Sequence, residues 1–261
     1  MNFFQIKSEI PNVAPDIVFN FYGWPVSNSF LLSFLVTILF VFLVFYTKHA
    51  LKKSYGSFLA VVEMFYEVLS TFLKKLGGSS AQAKLIFPIS ASIFAFVAVS
   101  NLISIIPGLS SFSYNGISIF RTPTADFNTT FGIALGMILI INAIALKDFG
   151  FVEYFSKFFQ FKQVFLGFKS GIKDGLFAII NFGIGLLDII SELAKIISLS
   201  LRLFGNIYAG EVLIVVLFGA LAFVAPTLWM SMSLLFGLVQ AVVFSSLITV
   251  YYAQARKPDE G

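Results

Sequence analysis

Arg202 is the residue on which any chemistry of this chain would depend, because it is a permanent cation inside a long apolar run over residues 176–224. A charge within a membrane costs from ~3 to more than 10 kcal/mol, so it needs a partner or water. No acidic residue stands three or four positions from Arg202. Since arginine stays charged at physiological pH, we expect its partner elsewhere in this chain or in another chain.

Four further charged residues share this run, namely Asp188, Glu192, Lys195 and Glu211. Asp188, Lys195 and Arg202 are spaced by seven, so they drift only ~20° per step and share one helix face. Asp188, Glu192 and Lys195 are also close enough along a helix to bond one another. A structural ion-pair cluster therefore stays an open alternative for these three.

Polar groups extend the face that carries Arg202, since Ser198 and Asn206 lie four positions to either side of it. Glu211 lies nine positions past Arg202, which is about 180° around an ideal helix. One face could hold a fixed cation while another lines a separate aqueous path.

Composition indicates the setting in which these residues act. The 261 residues are 58% hydrophobic and 11% charged, which is too little polar surface for a water-soluble globule. Cysteine is absent, which excludes disulfides, thiolate zinc sites and iron–sulfur ligation within this chain. His49 is the single histidine and cannot supply bis-histidine haem ligation. We expect no cofactor, no metal site and no nucleic-acid partner.

Five apolar runs predict the elements that position the charges. They cover residues 30–46, 85–106, 131–146, 176–224 and 227–252. The fourth run has 49 residues and would form a helix of roughly 70 Å, about twice the ~30 Å hydrocarbon core. It must tilt, break or lie within the membrane. We predict an all-α polytopic fold with five or six membrane helices and a long tilted C-terminal helix pair.

The segments around these runs complete one membrane domain. Residues 56–76 have apolar positions at helical spacing and predict an interfacial amphipathic helix. Residues 1–29 lack the pattern of a cleavable signal peptide and are expected to lie outside. The pair Gly132 and Gly136 predicts close helix packing.

Orientation follows from the distribution of basic residues. Segment 48–84 holds six Lys and Arg, segment 147–173 holds five and the tail holds two, whereas segments 1–29 and 107–130 hold one each. The positive-inside rule therefore assigns the loop at 147–173 and the tail to the cytoplasm, with the N-terminus outside.

Three stretches resemble subunit a of the F-type ATP synthases. SLSLRLFGNIYAGE, over residues 198–211, is similar to the signature centred on that family's essential arginine. PTADFNTT, over residues 123–130, resembles the start of the family's fourth helix, and Gln240 resembles a polar position of its last helix. The order of the apolar runs and of the amphipathic helix also fits, so the resemblance covers nearly the whole chain.

The resemblance implies a mechanism in which Arg202 is an electrostatic gate facing a carboxylate of a rotating ring of c subunits. Two offset aqueous half-channels would deliver protons to that ring and remove them. The positions implied for the outside half-channel and its mouth are Glu211, Asn206, Gln240, Asp126 and Asn128. Those implied for the cytoplasmic side are Ser198, Lys195 and Asp188.

The chain departs from the family pattern at Ser233, where many bacterial relatives carry a histidine that accompanies the glutamate. Serine does not titrate in this range, so proton uptake would rely on Glu211 and water. Implied partners are the c-ring, the peripheral-stalk b subunits, the other ATP synthase subunits and the lipid bilayer. The chain itself would conduct protons without covalent catalysis.

The expected location is a bacterial plasma (inner) membrane or, for an organelle-encoded chain, the mitochondrial inner membrane. Two other functions stay open at this stage. One is a secondary transporter with Arg202 as an anion site, and the other is a structural anchor of a respiratory complex.

Overall fold

The described part of the chain is mainly α-helical in this computed structural model. It comprises residues 12–53, 56–77, 80–104, 106, 109, 112–114, 116–160, 164–166, 169, 171–220 and 224–256. The helices of this part are α1 (Asn28–Lys53), α2 (Ser57–Gly77), α3 (Ser80–Ser104), α4 (Phe127–Phe149), α5 (Phe151–Phe158), α6 (Ile172–Ala220) and α7 (Val224–Arg256). Five of them, α1, α3, α4, α6 and α7, are long and apolar enough to cross a membrane, which confirms the predicted all-α polytopic class.

The long apolar run is one continuous helix, α6, from Ile172 to Ala220. Its 49 residues contain no proline, so every interior residue retains a backbone donor for the helical ladder. Of the three options for this run, a break within the described helix is excluded. At 1.5 Å per residue the helix is roughly 70 Å long, so the two remaining options are that it tilts or lies within the membrane.

Two short hairpins were not predicted from the sequence. Strand β1 (Ile17–Phe21) pairs with β2 (Trp24–Ser27) in the segment before α1. Tyr22 and Gly23, at the turn, have φ angles of 49° and 85°, the left-handed conformation that two-residue hairpins favour. A second hairpin, β3 (Ser113–Tyr114) and β4 (Ile117–Ser118), lies between α3 and α4. Residues 1–11 of the predicted outside segment lie outside the described residues.

A second difference concerns the basic loop predicted over 147–173. It contains α5, whose residues Phe151–Phe158 form two turns of helix directly after Gly150. Gly150 has a φ of 83°, a conformation that glycine adopts without the steric cost of a Cβ atom. Gly150 therefore separates α4 from α5 and lets the chain change direction.

The hydrophobic core lies where α3, α4, α6 and α7 meet. Buried side chains from these four helices include Val97, Met137, Leu203 and Phe244, and none of them is more than 1% exposed. Burial of a large apolar side chain contributes about 1.5–3 kcal/mol when water is the reference. The core therefore holds the middle of α6 against α4 and α7 and fixes which face carries the charged residues.

Hydrogen bonds between helices supplement this packing. The hydroxyl groups of Ser90 on α3 and Ser245 on α7 are 2.7 Å apart. Asn101 donates from Nδ2 to the carbonyl oxygen of Gly237 at 3.1 Å, while its Oδ1 accepts from Thr124 at 2.6 Å. Asn101 thus links α3, α7 and the 3₁₀ turn at Pro123–Ala125.

The close helix packing predicted at Gly132 and Gly136 is not found among the described residues. A Cβ atom added at either position would meet no described atom within 4 Å. Helix α4 instead faces the core with Ala134, Met137 and Ile141, which are all buried. The close approach occurs at Gly237, where an added Cβ atom would stand 2.8 Å from the Cβ atom of Asn101.

Candidate functional site

Arg202 lies on the exposed apolar side of α6. Its neighbours Leu193, Ile197 and Leu201 are 57%, 51% and 51% exposed, and Arg202 is itself exposed. Among the described residues its one side-chain hydrogen bond is a long one of 3.4 Å from Nη2 to the Ser198 hydroxyl. The guanidinium therefore has no carboxylate partner in the described part of the chain, although a desolvated cation requires one.

Tyr251 of α7 lies beside the face of α6 that carries Lys195 and Arg202. The Lys195 ammonium is 4.8 Å from the centroid of the Tyr251 ring, a distance at which the π-face attracts a cation. The positive charge of Arg202 also acts on the Tyr251 hydroxyl. Tyr251 is therefore the residue of α7 that contacts this charged face of α6, on the predicted cytoplasmic side of Arg202.

Glu192 is held by α4 rather than by its own helix. Its Oε2 accepts a 2.9 Å hydrogen bond from Nδ2 of Asn142. Burial and the charge of Glu192 raise the pKa of the Tyr154 hydroxyl on α5 to about 12. Among the described residues no ion pair joins Asp188, Glu192 and Lys195, so the structural ion-pair cluster is absent from this part of the chain. Asp188 is half-buried.

Asn206 and Gln240 connect the two long helices on the other side of Arg202. Nδ2 of Asn206 donates to Oε1 of Gln240 at 3.2 Å. Gln240 is 5% exposed, and its Nε2 group has no hydrogen-bond partner among the described residues. A buried amide donor normally has a protein or water partner, so this position favours a water molecule.

Glu211 lies against the segment that leads into α4. Its carboxylate forms a hydrogen bond with the Thr122 side chain and lies within the field of Arg121. Arg121 is 8% exposed and donates to the carbonyl oxygens of Ala14 and Asn12 at 2.8 and 2.7 Å. Glu211 thus faces a polar cluster distinct from the exposed face that carries Arg202.

Asp126 caps the N-terminus of α4. Its carboxylate accepts hydrogen bonds from the Ser29 hydroxyl at 2.6 Å, from the Asn128 backbone at 3.0 Å and from the Thr129 hydroxyl at 3.3 Å. An N-cap carboxylate that also accepts from α1 stabilises the fold. Asp126 is buried and the adjacent Asn128 is exposed.

The predicted residues are not all brought together. Along α6 the step from Lys195 to Arg202 is about 10 Å and the step from Arg202 to Glu211 is about 14 Å, at 1.5 Å per residue. Lys195 lies with Tyr251, whereas Glu211 lies with Thr122 and Arg121. Arg202 therefore separates two polar groups that are offset along the helix axis.

Sequence reasoning missed several partners of the predicted residues: Arg121, Thr122, Asn142, Tyr154 and Tyr251. Arg121 carries one signal, since it is the single basic residue of the 107–130 segment. The others are polar or aromatic residues in apolar surroundings, and their spacing carries no information about which helix they face. Ser233, at the departure from the family pattern, is half-buried on α7.

Comparison with known proteins identifies the family. Residues 30–253 match the family described as ATP synthase A chain. ATP synthase subunit a of Desulforamulus reducens is 34% identical over 217 residues, which cover 80% of this chain and 71% of that protein. ATP synthase subunit a of Moorella thermoacetica is 28% identical over 242 residues, with 93% and 96% of the two chains covered. The chain therefore belongs to the ATP synthase A chain family, the non-catalytic, proton-translocating subunits of the membrane sector of ATP synthase.

Proposed function

We propose that Arg202 separates two aqueous half-channels and acts on carboxylates supplied by a rotating ring of c subunits. The observation that carries this proposal is a cation exposed on an apolar helix face with no carboxylate partner among the described residues. The partner would then come from another chain. This assignment agrees with the family and leaves the transporter and structural-anchor alternatives without a supporting observation.

The physical reason is the cost of a bare carboxylate in lipid. A ring carboxylate can turn into hydrocarbon only when it is protonated, because the charged form is costly there. Next to the permanent charge of Arg202, its pKa falls and it releases the proton. The same charge repels a proton that would pass directly between the half-channels, so proton flow is coupled to rotation.

The outside half-channel is proposed to run along Glu211, Thr122, Asn206 and Gln240. Two observations support it. Glu211 is an ionisable group whose hydrogen-bond partner is a neutral hydroxyl, and Nε2 of Gln240 is a buried donor that favours water. Thr122 supplies a polar contact to Glu211 in a chain that has Ser233 in place of a titratable histidine. The exposed Asn128 is proposed to lie near the mouth.

Asp126 is proposed to hold the helix end at this mouth rather than to carry protons. Three donors already engage its carboxylate, which fixes that carboxylate at the N-terminus of α4. This division of roles separates Asp126 from Glu211. It also explains why two carboxylates can stand on the same side of the membrane with different functions.

The cytoplasmic half-channel is proposed to pass Ser198, Lys195 and Asp188. Ser198 contacts Arg202 directly, and Lys195 is held at the Tyr251 ring. A proton leaving the ring near Arg202 would meet these groups in order. The half-buried Asp188 is then the next ionisable group after Lys195 on their shared face, toward the cytoplasmic end of α6.

The partners proposed are the c-ring, the peripheral-stalk b subunits and the other subunits of the synthase. A bacterial plasma membrane is the proposed location because the relatives named above are bacterial; the mitochondrial inner membrane is the alternative. The basic loops would face the cytoplasm.

Disulfide cross-linking tests the ring-facing assignment of α6. Leu201 is 51% exposed beside Arg202, whereas Leu199 is 1% exposed and faces the core. In the assembled synthase, Leu201→Cys should cross-link to a single cysteine placed next to the c-subunit carboxylate, and Leu199→Cys should not. Equal yields from the two positions, or no yield from Leu201→Cys, would contradict the assignment.

A further inference from the structure

A small cleft lies between α2 and the start of α3, away from the proposed proton path. Its volume is about 120 Å³, and it is lined by Tyr66, Ser70, Lys74, Lys84 and Phe87. The first three stand at successive turns of α2, and the last two belong to α3. The cleft therefore exists only where the amphipathic helix packs on the membrane helix.

One wall of the cleft is aromatic. The rings of Tyr66 and Phe87 meet edge to face, with centroids 4.7 Å apart. Such a pair is rigid and contributes about 0.5–1.5 kcal/mol beyond its buried area. Ser70 donates its hydroxyl to the backbone carbonyl of Glu67 at 3.2 Å. The wall is therefore held in place without any bound molecule.

The other wall is cationic. Lys74 and Lys84 approach the same cleft from different helices, and the described part of the chain supplies no carboxylate within ion-pair distance of either ammonium. Glu67 is the acidic residue of α2 nearest to Ser70, and it does not line the cleft. Two unneutralised ammonium groups at one cleft favour a bound anion with several acceptor oxygens, and phosphate is such a group.

The position of the cleft indicates where that phosphate comes from. Lys84 begins the membrane span of α3, which puts the cleft at the level of lipid headgroups. The apolar residue Leu85 of α3 follows Lys84 directly and is 49% exposed, and the Phe87 ring lines the cleft itself. These two residues offer an apolar surface for acyl chains beside a site for a charged head. Basic pockets between helices on the cytoplasmic side are known to bind anionic headgroups.

We propose that this cleft binds the phosphodiester headgroup of an anionic phospholipid. Lys74 and Lys84 pair with the phosphate oxygens, and the aromatic wall contacts the glycerol and the first acyl carbons. The lipid would fasten α2 to α3 at the membrane surface. This site is independent of Arg202. An experiment that refutes lipid binding at the cleft would therefore leave the proposed proton path unaffected.

Lipid retention by the full chain tests the proposal. The chain is taken from nanodiscs with equal phosphatidylglycerol and phosphatidylcholine into mild detergent, and retained lipid is measured by native mass spectrometry. The unmodified chain should retain phosphatidylglycerol in preference. The double variant Lys74→Gln and Lys84→Gln should retain roughly thirtyfold less of it. The charge-preserving variant Lys74→Arg and Lys84→Arg should restore retention.

A matched control separates this site from general surface charge. Lys52→Gln and Lys75→Gln remove the same charge from exposed positions that do not line the cleft, and this double variant should retain phosphatidylglycerol like the unmodified chain. Equal loss in both glutamine variants, or equal retention of the two lipids, would overturn the proposal.

Two further arms identify the occupant. Inorganic phosphate at millimolar concentration should leave the lipid in place; displacement would reassign the cleft to free phosphate. A photoreactive amino acid at Tyr66 in the assembled synthase should give a lipid adduct. An adduct with another subunit in its place would show that protein covers the cleft and would overturn the proposal.

Discussion

Asn206 donates a 3.2 Å hydrogen bond from Nδ2 to Oε1 of Gln240, and this bond joins the two long helices one turn beyond Arg202. The Nε2 group of Gln240 points into buried space without a partner among the described residues. One end of the amide therefore holds α6 to α7, while the other end can bind water. Gln240 is in this way both a packing residue and a polar point on the proposed half-channel.

Replacement of Gln240 by leucine separates these two roles. We expect gradient-driven proton flux to fall, because the buried donor for water is lost, and thermal stability to fall by only about 0.6 kcal/mol, the usual worth of an interhelical hydrogen bond in a membrane. Flux in vesicles and thermal unfolding of the purified complex measure the two effects. Gln254→Leu, at an exposed position of the same helix, is the matched control. Unchanged flux in Gln240→Leu would remove this residue from the path.

Glu211 and Thr122 should act together, since the Thr122 side chain is the hydrogen-bond partner of the Glu211 carboxylate. Glu211→Gln should slow proton conduction without a leak or loss of assembly, because the amide keeps the shape but cannot carry the proton. Thr122→Val should slow conduction less, and adding it to Glu211→Gln should have little further effect if the two belong to one path. Glu63→Gln, at an exposed position of α2, is the control for charge. Fully additive losses in the double variant would mean that Thr122 acts elsewhere.

The membrane spans and Arg202 could be predicted because both depend on local sequence. An apolar run of sufficient length has few alternatives to a spanning helix, and an isolated arginine in such a run requires a function or a partner. The partners of the site residues could not be predicted in the same way. Tyr251 meets Lys195 through the packing of α7 on α6, and this pairing is not encoded in the spacing within either helix.

The two hairpins were missed for a related reason. The strands of the first hairpin are five and four residues long and largely apolar, so they resemble the apolar runs around them. The strands of the second hairpin have two residues each, which is too short for a period to be read. The pair Gly132 and Gly136 led to a prediction of close helix packing, but small residues permit such packing without requiring it. Gly132 and Gly136 permit an approach that no helix of the described chain makes, whereas the isolated Gly237 lies against Asn101.

Gly237→Ala should destabilise the helix core. The new Cβ atom would stand 2.8 Å from the Cβ atom of Asn101, so the backbone of α3 or α7 must shift, at a cost of about 1–3 kcal/mol. Gly136→Ala has open space and should be neutral or slightly stabilising, because alanine favours helix. Thermal unfolding of the two purified variants gives the comparison. A Gly237→Ala variant as stable as the unmodified chain would show that the contact relaxes freely.

Membrane orientation can be tested by cysteine labelling at exposed positions. The distribution of lysine predicts that Lys75→Cys and Val152→Cys react with an impermeant reagent from the cytoplasmic side and that Tyr114→Cys reacts from outside. Tyr114 and Val152 are 52% and 82% exposed, so burial in this chain does not protect them. Right-side-out and inverted vesicles from the same cells provide the comparison. Labelling of all three positions from one side would contradict the assigned topology.

Proton flux and ATP formation, recorded together in vesicles that carry the assembled Arg202→Ala enzyme, test the central claim most directly. A proton gradient is imposed, and Leu201→Ala, at the exposed neighbouring position, serves as the control. Without the fixed charge no group lowers the pKa of the passing carboxylate, so ATP synthesis should be lost in Arg202→Ala while passive proton flux persists or rises. Leu201→Ala should retain coupled synthesis. Normal gradient-driven synthesis by the Arg202→Ala enzyme would contradict the mechanism and leave Arg202 with a structural role only.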